Sequence, residues 1–319
     1  MTQESKFLAY AAFATVCFVW GTTYLAIAIA NETLPVLLFA GVRFSIAGAI
    51  LLAVGLLRGK PLPARRKDWL YLVFVGVCMV GCGNIGVVWA EHHLTSGFAA
   101  LLVGSSPFWM AVLERMRPGG ARFSNRKLIG LVIGFAGLAI LVGPEIGGDE
   151  LNLMFLLGFI AVQIGAIGWN VGSIVSKYYV SKDIDSMISA ALQMLFGGII
   201  VTIAGLVHGE LPQFHFSSRS LIAFLYLLFF GSVLTYGAYV YALSKLPTST
   251  TSLYAYINPV VAVFLGWLVL SEPIGWNAIV GMLVIFIGVG FVQATGNKKV
   301  IVVRDTELPS DAAVARERG

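Results

Sequence analysis

Long apolar runs, separated by short polar gaps, follow one another along almost the whole chain. The runs are continuous, whereas a membrane β-strand would alternate apolar and polar residues. A bilayer core of about 30 Å needs roughly 20 apolar residues in α-helical form. Ten runs approach this length, so the pattern predicts an all-α integral membrane protein. The predicted spans are residues 7–30, 35–57, 69–90, 95–114, 127–143, 153–177, 186–207, 219–243, 248–270 and 275–294.

The first apolar run also has a feature of a cleaved signal peptide, because Ala28-Ile29-Ala30 resembles a cleavage site. The run is too long for that reading, and Lys6 is the only basic residue before it. The polar stretch from Trp20 to Thr23 also interrupts its middle. We therefore expect this segment to remain as the first span.

Composition supports lipid as the main solvent of the chain. The chain is 58% hydrophobic and 12% charged, whereas a soluble domain is about 25% charged. The net charge of +5 sits in the gaps between apolar runs, so it predicts contact with the bilayer and no nucleic-acid partner. The three cysteines all lie inside apolar runs without further metal ligands nearby, which predicts no disulfide, no metal site and no cofactor.

The basic residues predict the orientation of the spans. Nearly all of the 21 Lys and Arg residues lie before the first span, in alternate gaps and in the tail. The exceptions are Arg219, in an opposite gap, and Arg43, within the second span. The positive-inside rule then places both termini in the cytoplasm, and we expect a multi-pass protein of a bacterial inner membrane.

The two halves of the chain match each other at an offset of 149–152 residues. We therefore divide it into a first repeat at 1–147, a second at 148–296 and a solvated cytosolic tail at 297–319. Five spans per half is an odd number, so the second half enters the membrane from the opposite side. Inverted repeats are a recurring plan of transporters. The matching pairs are Trp20 with Trp169, Arg43 with Gln193, Asn84 with Tyr236, and Pro107 with Pro259.

Several motifs in both halves carry a resemblance to a known family. They are Trp20-Gly21-Thr22-Thr23-Tyr24, Gly41-Val42-Arg43-Phe44, Asn84 with Trp89-Ala90-Glu91, Gly97 to Leu102, Gln193-Met194, Gly231-Ser232, Tyr254 to Ala262 and Ser271-Glu272-Pro273. The chain resembles the ten-helix permeases of the drug/metabolite transporter superfamily, of the EamA type. The resemblance implies an inner-membrane permease with a central cavity that exports metabolites, amino acids or toxic compounds. One departure is Leu113-Glu114-Arg115, where the family has Gly-Glu.

Polar and aromatic residues near the middle of the spans are the candidates for a substrate site, since they are costly there unless they face a cavity. For Arg43 two readings stay open, a side chain that reaches the headgroups or one that attracts a carboxylate ligand. Thr hydroxyls can instead bond to their own helix, and Asn84 can join helices. Pro107 and Pro259 are the candidate hinges. The candidates are Trp20, Thr23, Tyr24, Arg43, Asn84, Trp169, Asn170, Gln193, Tyr236, Tyr239, Tyr256 and Asn258.

These observations predict a carrier of small molecules by alternating access, present as a monomer or weak homo-oligomer. The alternative is a polytopic membrane enzyme, but the chain has neither an H-E-x-x-H motif nor a phosphate-binding GxxxxGK[ST] loop. No Asp or Glu lies in the middle of a predicted span. We therefore expect facilitated diffusion or exchange, with weak proton coupling left open through Glu91 or a histidine.

Overall fold

Helices form every regular element in the part of the chain that the structure describes. The structure is a computed structural model, and it describes residues 3–94, 96–120, 124–146, 153–270 and 275–294. The predicted tail at 297–319 and the Ser271-Glu272-Pro273 motif lie outside these residues. The helices are α1 (Gln3–Asn31), α2 (Val36–Leu57), α3 (Arg66–Ala90), α4 (Ser96–Val103), α5 (Ser106–Met116), α6 (Asn125–Ile146), α7 (Leu153–Tyr178), α8 (Ser186–Val207), α9 (Ser218–Lys245), α10 (Thr248–Thr251), α11 (Tyr254–Leu270) and α12 (Trp276–Ala294), with one 3₁₀ turn at Leu211–Gln213.

Six of these helices are long and apolar enough to cross a membrane: α1, α2, α3, α7, α8 and α9. Their bounds agree with the predicted spans within a few residues, and α1 runs without a break through the polar stretch after Trp20. Many of the large apolar side chains on these helices point outward, such as Phe18 on α1 and Ile203 on α8. An apolar exterior over long helices is what a lipid-embedded bundle requires.

Two of the predicted spans are interrupted. The span at 95–114 is divided into α4 and α5 by a turn at Gly104-Ser105, and Pro107 lies in the first turn of α5, where a missing N–H group costs nothing. The span at 248–270 is divided into α10 and α11 by a turn at Ser252-Leu253. Pro259 lies inside α11. The hinge prediction assumed that the two prolines break equivalent helices at equivalent places. The structure differs, because Pro107 follows a turn whereas Pro259 lies inside a helix.

Each half also contains one long π-helical segment, which the hydrophobic pattern did not reveal. The segments are Val77–Asn84 within α3 and Leu227–Leu234 within α9, 150 residues apart. A π-helix has a wider turn than an α-helix and is rare outside functional sites. Its recurrence at the same place in both halves supports the internal repeat and draws attention to the residues that it positions.

The equivalent helices α2 and α8 pack against each other in antiparallel orientation, with glycines at the contacts. Every seventh residue of α2, counted forward from Gly41, contacts every seventh residue of α8, counted backward from Thr202. An added methyl group on Gly41, Gly48 or Gly55 would lie 2.4, 2.5 or 2.6 Å from Thr202 N, Leu195 N or Ile188 Cδ1. Such close backbone approach is typical of small residues between membrane helices.

Helices α6 and α12 repeat this arrangement. An added methyl group on Gly137 would lie 2.6 Å from the backbone nitrogen of Ile285, and one on Gly288 would lie 2.5 Å from that of Gly134. The two contacts are equivalent in the repeat, because an offset of 151 residues relates Gly137 to Gly288 and Gly134 to Ile285. Equivalent helices that pack antiparallel around a local two-fold axis are what an inverted repeat produces.

The ends of α2 and α8 are built alike. Both helices end before a glycine with positive φ, Gly59 at 71° and Gly209 at 82°, a conformation that glycine adopts without strain. The next residue in each case contacts the start of the partner helix. Lys60 forms an ion pair of 2.9 Å with Asp185, which caps α8, and Glu210 accepts the backbone N–H of Leu38 on α2 at 2.8 Å.

Candidate functional site

A central cavity of about 90 Å³ lies roughly halfway along the long helices. Residues of both halves line it, from α1, α2 and α3 in the first and from α7, α9 and α11 in the second. It brings together eight of the predicted site residues, which the chain separates by more than 200 positions. These are Trp20, Thr23, Tyr24, Arg43, Asn84, Trp169, Tyr236 and Asn258.

Arg43 is the cation of this cavity. Its side chain is 3% exposed, and its Nη2 donates a hydrogen bond of 2.8 Å to the Oδ1 of Asn84. The guanidinium carbon lies 4.6 Å from the centre of the Phe44 ring. Its Nε has no hydrogen-bond partner, and no carboxylate of the described residues lies within 4.0 Å of the guanidinium. Arg43 thus lines the cavity, and its attraction for a carboxylate ligand stays a prediction.

Glu91 is the carboxylate whose charge acts on Arg43, although the two side chains form no ion pair. It directly follows the last residue of α3, yet its side chain is only 9% exposed. Neither carboxylate oxygen has a hydrogen-bond partner. Burial raises the pKa of Glu91 well above its ordinary value, and the positive charge of Arg43 opposes that rise. The sequence had suggested Glu91 as an end-of-span residue but not its burial.

A cluster of four aromatic rings bounds the cavity on one side. It consists of Trp20, Trp169, Tyr239 and Tyr254, with ring centres 5.0–5.6 Å apart in the pairs that touch. The repeat-related Trp20 and Trp169 meet edge to face at 5.3 Å. The indole N–H of Trp20 donates to the carbonyl oxygen of Gly231 in the second π-helical segment at 3.0 Å. This aromatic cluster lies between the cavity and the end of the bundle where α1 begins, which we call the amino end.

Three predicted site residues are buried in polar contacts away from the cavity. Asn170 donates to the hydroxyl of Ser106 at 2.7 Å. Gln193 donates to Ser176 and Ser189, and it accepts from Tyr236 at 3.2 Å. The hydroxyl of Tyr256 donates to the carbonyl oxygen of Leu131 on α6 at 3.2 Å. Each of the three side chains makes a hydrogen bond to another helix and none lines the cavity, although the Oδ1 of Asn170 has no partner.

Two other residues keep local bonds while they face the cavity. The hydroxyl of Thr23 donates back to the carbonyl oxygen of Trp20 at 2.7 Å. The amide nitrogen of Asn258, in the orientation that faces acceptors, donates to the carbonyl oxygens of Cys17 and Tyr254 at 3.0 Å each. Asn258 thereby links α11 to α1 across the boundary between the halves.

A second, wider pocket of about 550 Å³ opens at the amino end. We call it the vestibule. Its charged lining has four lysines and two aspartates, and so a surplus of two positive charges. Sequence reasoning placed these lysines in alternate gaps, but it did not show that gaps far apart in the chain share one pocket. The charged residues are Lys60, Lys177, Lys182, Lys245, Asp183 and Asp185.

Glu114 holds a polar junction at the amino end that sequence reasoning also missed. Its side chain is buried, and it accepts hydrogen bonds from the Tyr178 hydroxyl at 2.9 Å and the Thr248 hydroxyl at 3.1 Å. Arg117 lies 3.3 Å from the same carboxylate. Glu114 belongs to the first half, whereas Tyr178 and Thr248 belong to the second. The junction therefore ties the two halves together at the amino end.

No group of three or more His, Cys, Asp or Glu side chains that could hold a metal occurs within the described ranges. The contacts available in the cavity are those of a binding site. It offers one cation, one buried carboxylate nearby, amide groups and aromatic faces. The arrangement can orient a small polar molecule by hydrogen bonds and charge while its apolar part contacts the rings.

Comparisons with known proteins agree with this arrangement. The model of the EamA-like transporter family matches residues 7–143 and 156–293, one match in each half. The chain is 35% identical over 250 residues to the uncharacterized inner membrane transporter YedA of Escherichia coli K12, covering 78% of each chain. It is 25% identical over 276 residues to the uncharacterized transporter YoaV of Bacillus subtilis, covering 86% of this chain and 93% of the other.

A relative outside bacteria and a solved structure extend the comparison. The WAT1-related protein At3g02690 of Arabidopsis thaliana, a chloroplastic protein, is 26% identical over 299 residues, covering 91% of this chain and 70% of the other. A crystal structure with 19% sequence identity superposes with a TM-score of 0.73, covering 90% of this chain and 96% of the other. That likeness concerns the fold. Six long apolar helices, a twofold family match and relatives named as transporters together show that the chain is a multi-pass membrane transporter of the EamA-like family.

Proposed function

We propose that the protein exports small metabolites or amino acids across a bacterial inner membrane by alternating access to the central cavity. In this proposal ten helices form two inverted halves of five. The shorter helices α4 with α5, α6, α10 with α11, and α12 complete the six long ones. Both termini face the cytoplasm, so the amino end of the bundle is the cytoplasmic end. The protein works as a monomer or weak homo-oligomer.

The observation that carries this proposal is the position of the cavity between the halves. Residues related by the repeat, such as Trp20 and Trp169, line it together, one from each half. In inverted-repeat carriers a site at the interface of the repeats can be opened to one side or the other by an exchange of the two conformations. The aromatic cluster and the Glu114 junction both lie on the amino side of the cavity, and they would have to separate when it opens there.

The size of the cavity favours small cargo. Its volume of about 90 Å³ is below the roughly 300–1,000 Å³ of sites for drug-sized ligands. Metabolites and amino acids are therefore better candidates than larger drugs. We expect transport by facilitated diffusion or exchange, with proton coupling left open through Glu91 or a histidine, since the chain has no phosphate-binding loop for ATP.

An export screen tests the proposal. The protein is overproduced in a bacterial host, and the cells are grown on a panel of toxic metabolites and amino-acid analogues. We expect tolerance to at least one compound, and we expect Trp20→Ala and Asn258→Ala to abolish it at equal expression. Trp276→Ala is the matched control, because Trp276 is 81% exposed at the start of α12. Tolerance that survives both cavity substitutions would show that the cavity is not the transport site.

A further inference from the structure

We propose that the ligand is a small organic anion whose carboxylate takes the place of the Glu91 carboxylate as the counter-charge of Arg43, while Glu91 binds a proton. This inference rests on the proposed function and names the substrate class of the same cavity. It also assigns Glu91 a role that the sequence left open. The ligand binds in the cavity as the proton binds to Glu91, so that the summed charge of Arg43, Glu91 and the ligand stays the same.

Arg43 has unused binding capacity. A guanidinium has five N–H donors, and among the described residues the structure shows one of them engaged, by Asn84 at 2.8 Å. The group lines the cavity and has no carboxylate within ion-pair distance. A buried cation without a paired anion is costly, and two parallel N–H groups of arginine match the two oxygens of a carboxylate. An anionic ligand would supply the missing acceptors.

Glu91 provides the balancing charge when the cavity is empty. Arg43 on α2 is the ionisable side chain whose charge acts on it, and Glu91 in turn acts on the neutral Tyr24 of α1. Its chain neighbours His92 and His93 are exposed, and the nearby Glu210 is bound by the N–H groups at the start of α2. No donor holds either Glu91 oxygen in its charged form. Because burial favours a neutral carboxyl group, Glu91 can bind a proton once another anion neutralises Arg43.

The rest of the lining fits the organic part of such a ligand. Aromatic rings of Trp20, Trp169 and Tyr254 form one wall, and Ile27, Val87 and Val103 are aliphatic neighbours. A carboxylate on Arg43 would therefore leave its apolar part against rings and methyl groups. Inorganic anions would gain nothing from these walls.

The vestibule supports the same sign of charge independently. Its four lysines and two aspartates leave a surplus of positive charge around a pocket of about 550 Å³ at the amino end. A pocket lined by one surplus sign of charge concentrates ligands of the opposite sign. Anions would thus be gathered on the side from which an exporter loads its cargo.

A binding measurement on the purified full chain in lipid nanodiscs tests the proposal. The probes are benzoate, an aromatic carboxylate, and benzamide, its neutral analogue of similar shape, titrated calorimetrically between pH 6 and pH 9. We expect benzoate but not benzamide to bind to the wild type, with an affinity that rises about tenfold or more as the pH falls, because ligand and proton bind together. We expect Arg43→Gln to abolish benzoate binding.

Glu91→Gln separates the two parts of the proposal. The substituted side chain carries no charge, so we expect benzoate to bind at high pH as tightly as it binds the wild type at pH 6, with no pH dependence. Glu32→Gln is the matched control and should keep the wild-type pH profile, since Glu32 is partly exposed and lies 3.5 Å from Arg219. Equal binding of benzamide, no binding of benzoate, or an unchanged pH profile in Glu91→Gln would each overturn the proposal. Export tolerance measured on the same variants would then show whether the transporter function itself still stands.

Discussion

The hydrogen bond from Arg43 to Asn84 has a repeat-related counterpart in the bond between Gln193 and Tyr236. Arg43 donates to Asn84 at 2.8 Å, and Tyr236 donates to Gln193 at 3.2 Å. The offsets between equivalent residues are 150 and 152. Each bond ties the second helix of its half to the third. The halves have thus kept the same contact but changed its chemistry. The first contact is charged and both of its residues line the cavity, whereas the second is neutral and only its Tyr236 lines the cavity.

Replacing Asn84 with Asp should stabilise the protein and impair it at the same time. The new carboxylate would form a short ion pair with Arg43, since the present distance is 2.8 Å, and would occupy the position of an anionic ligand. We expect an equal or higher melting temperature together with at least a tenfold loss of benzoate affinity. Thermal unfolding and calorimetry on the same sample measure both.

The control for this substitution is Asn125→Asp, which adds the same charge at an exposed position at the start of α6. It should change neither property. If Asn84→Asp bound benzoate as the wild type does, Arg43 would not be the ligand's partner.

Substitution of Gly48 by Ala should destabilise the contact between α2 and α8. The added methyl group would lie 2.5 Å from the backbone nitrogen of Leu195, so the helices must move apart. Overpacking of this kind costs about 1–3 kcal/mol, and the melting temperature should fall by several degrees. Gly290→Ala is the control, because an added methyl group there meets nothing within 4 Å. Equal melting temperatures for the two variants would contradict the packing described for α2 and α8.

The Glu114 junction should behave as a coupled unit. Loss of the Tyr178 hydroxyl in Tyr178→Phe removes a hydrogen bond of 2.9 Å to a buried carboxylate, which is worth about 1.5–3 kcal/mol. We expect Tyr178→Phe and Glu114→Gln to lower stability by less in combination than the sum of their separate effects. Tyr179→Phe, at a neighbouring ring that is 44% exposed, should have little effect. Strict additivity in a double-mutant cycle would show that the bond contributes nothing.

Asp185 gives the protein a pH-dependent contribution to stability. Burial opposes its ionisation, but hydrogen bonds from Lys60 and from the backbone N–H of Met187 outweigh that effect, so the pKa of Asp185 is lowered. A carboxylate with a lowered pKa in the folded state stabilises the fold above its unfolded pKa of about 4, and this stabilisation is lost as the pH falls through the lowered value.

We therefore expect Asp185→Ala to cost roughly 1 kcal/mol at pH 7, the usual value of a helix cap. The difference from the wild type should shrink below pH ~4. Asp183→Ala should cost less, because the Asp183 side chain is 84% exposed and lies 3.7 Å from Arg65. Thermal unfolding between pH 3 and pH 8 measures both variants. A cost that stayed constant across this range would mean that the cap does not depend on the charge of Asp185.

The large features of the fold could be predicted because the bilayer constrains them strongly. The lengths of the apolar runs and the charges in the gaps predicted the bounds of the six long helices and the division of the chain into two halves. Breaks within helices could not be predicted in the same way. The π-helical segment Val77–Asn84 leaves the hydrophobic pattern unchanged, since mostly apolar residues and glycines continue through it. The turn at Gly104-Ser105 lies just before Pro107, so the proline indicated a break nearby but not its position. They depend on how the backbone is satisfied by neighbouring helices.

The candidate site was predicted in part for a similar reason. Repeat matching selected Trp20, Trp169 and Arg43, which do line the cavity. It also selected Gln193, because the match shows which positions are equivalent and not whether each side chain has a partner. Glu91 was considered only as a possible route of weak proton coupling at the end of a span, and was not among the predicted site residues. Its burial depends on the covering helices, and no pattern within its own segment contains that information.

The run of glycines between α2 and α8 has a mechanical consequence. A shift of one residue along the axis, about 1.5 Å, would move Gly41, Gly48 and Gly55 away from the close contacts that they now make with Thr202, Leu195 and Ile188. These contacts oppose sliding of α2 along α8, and we expect the pair to move as one rigid unit that the two halves share. We therefore expect rearrangement between the two ends of the bundle to occur in the interrupted helices around this pair, at the turns Gly104-Ser105 and Ser252-Leu253.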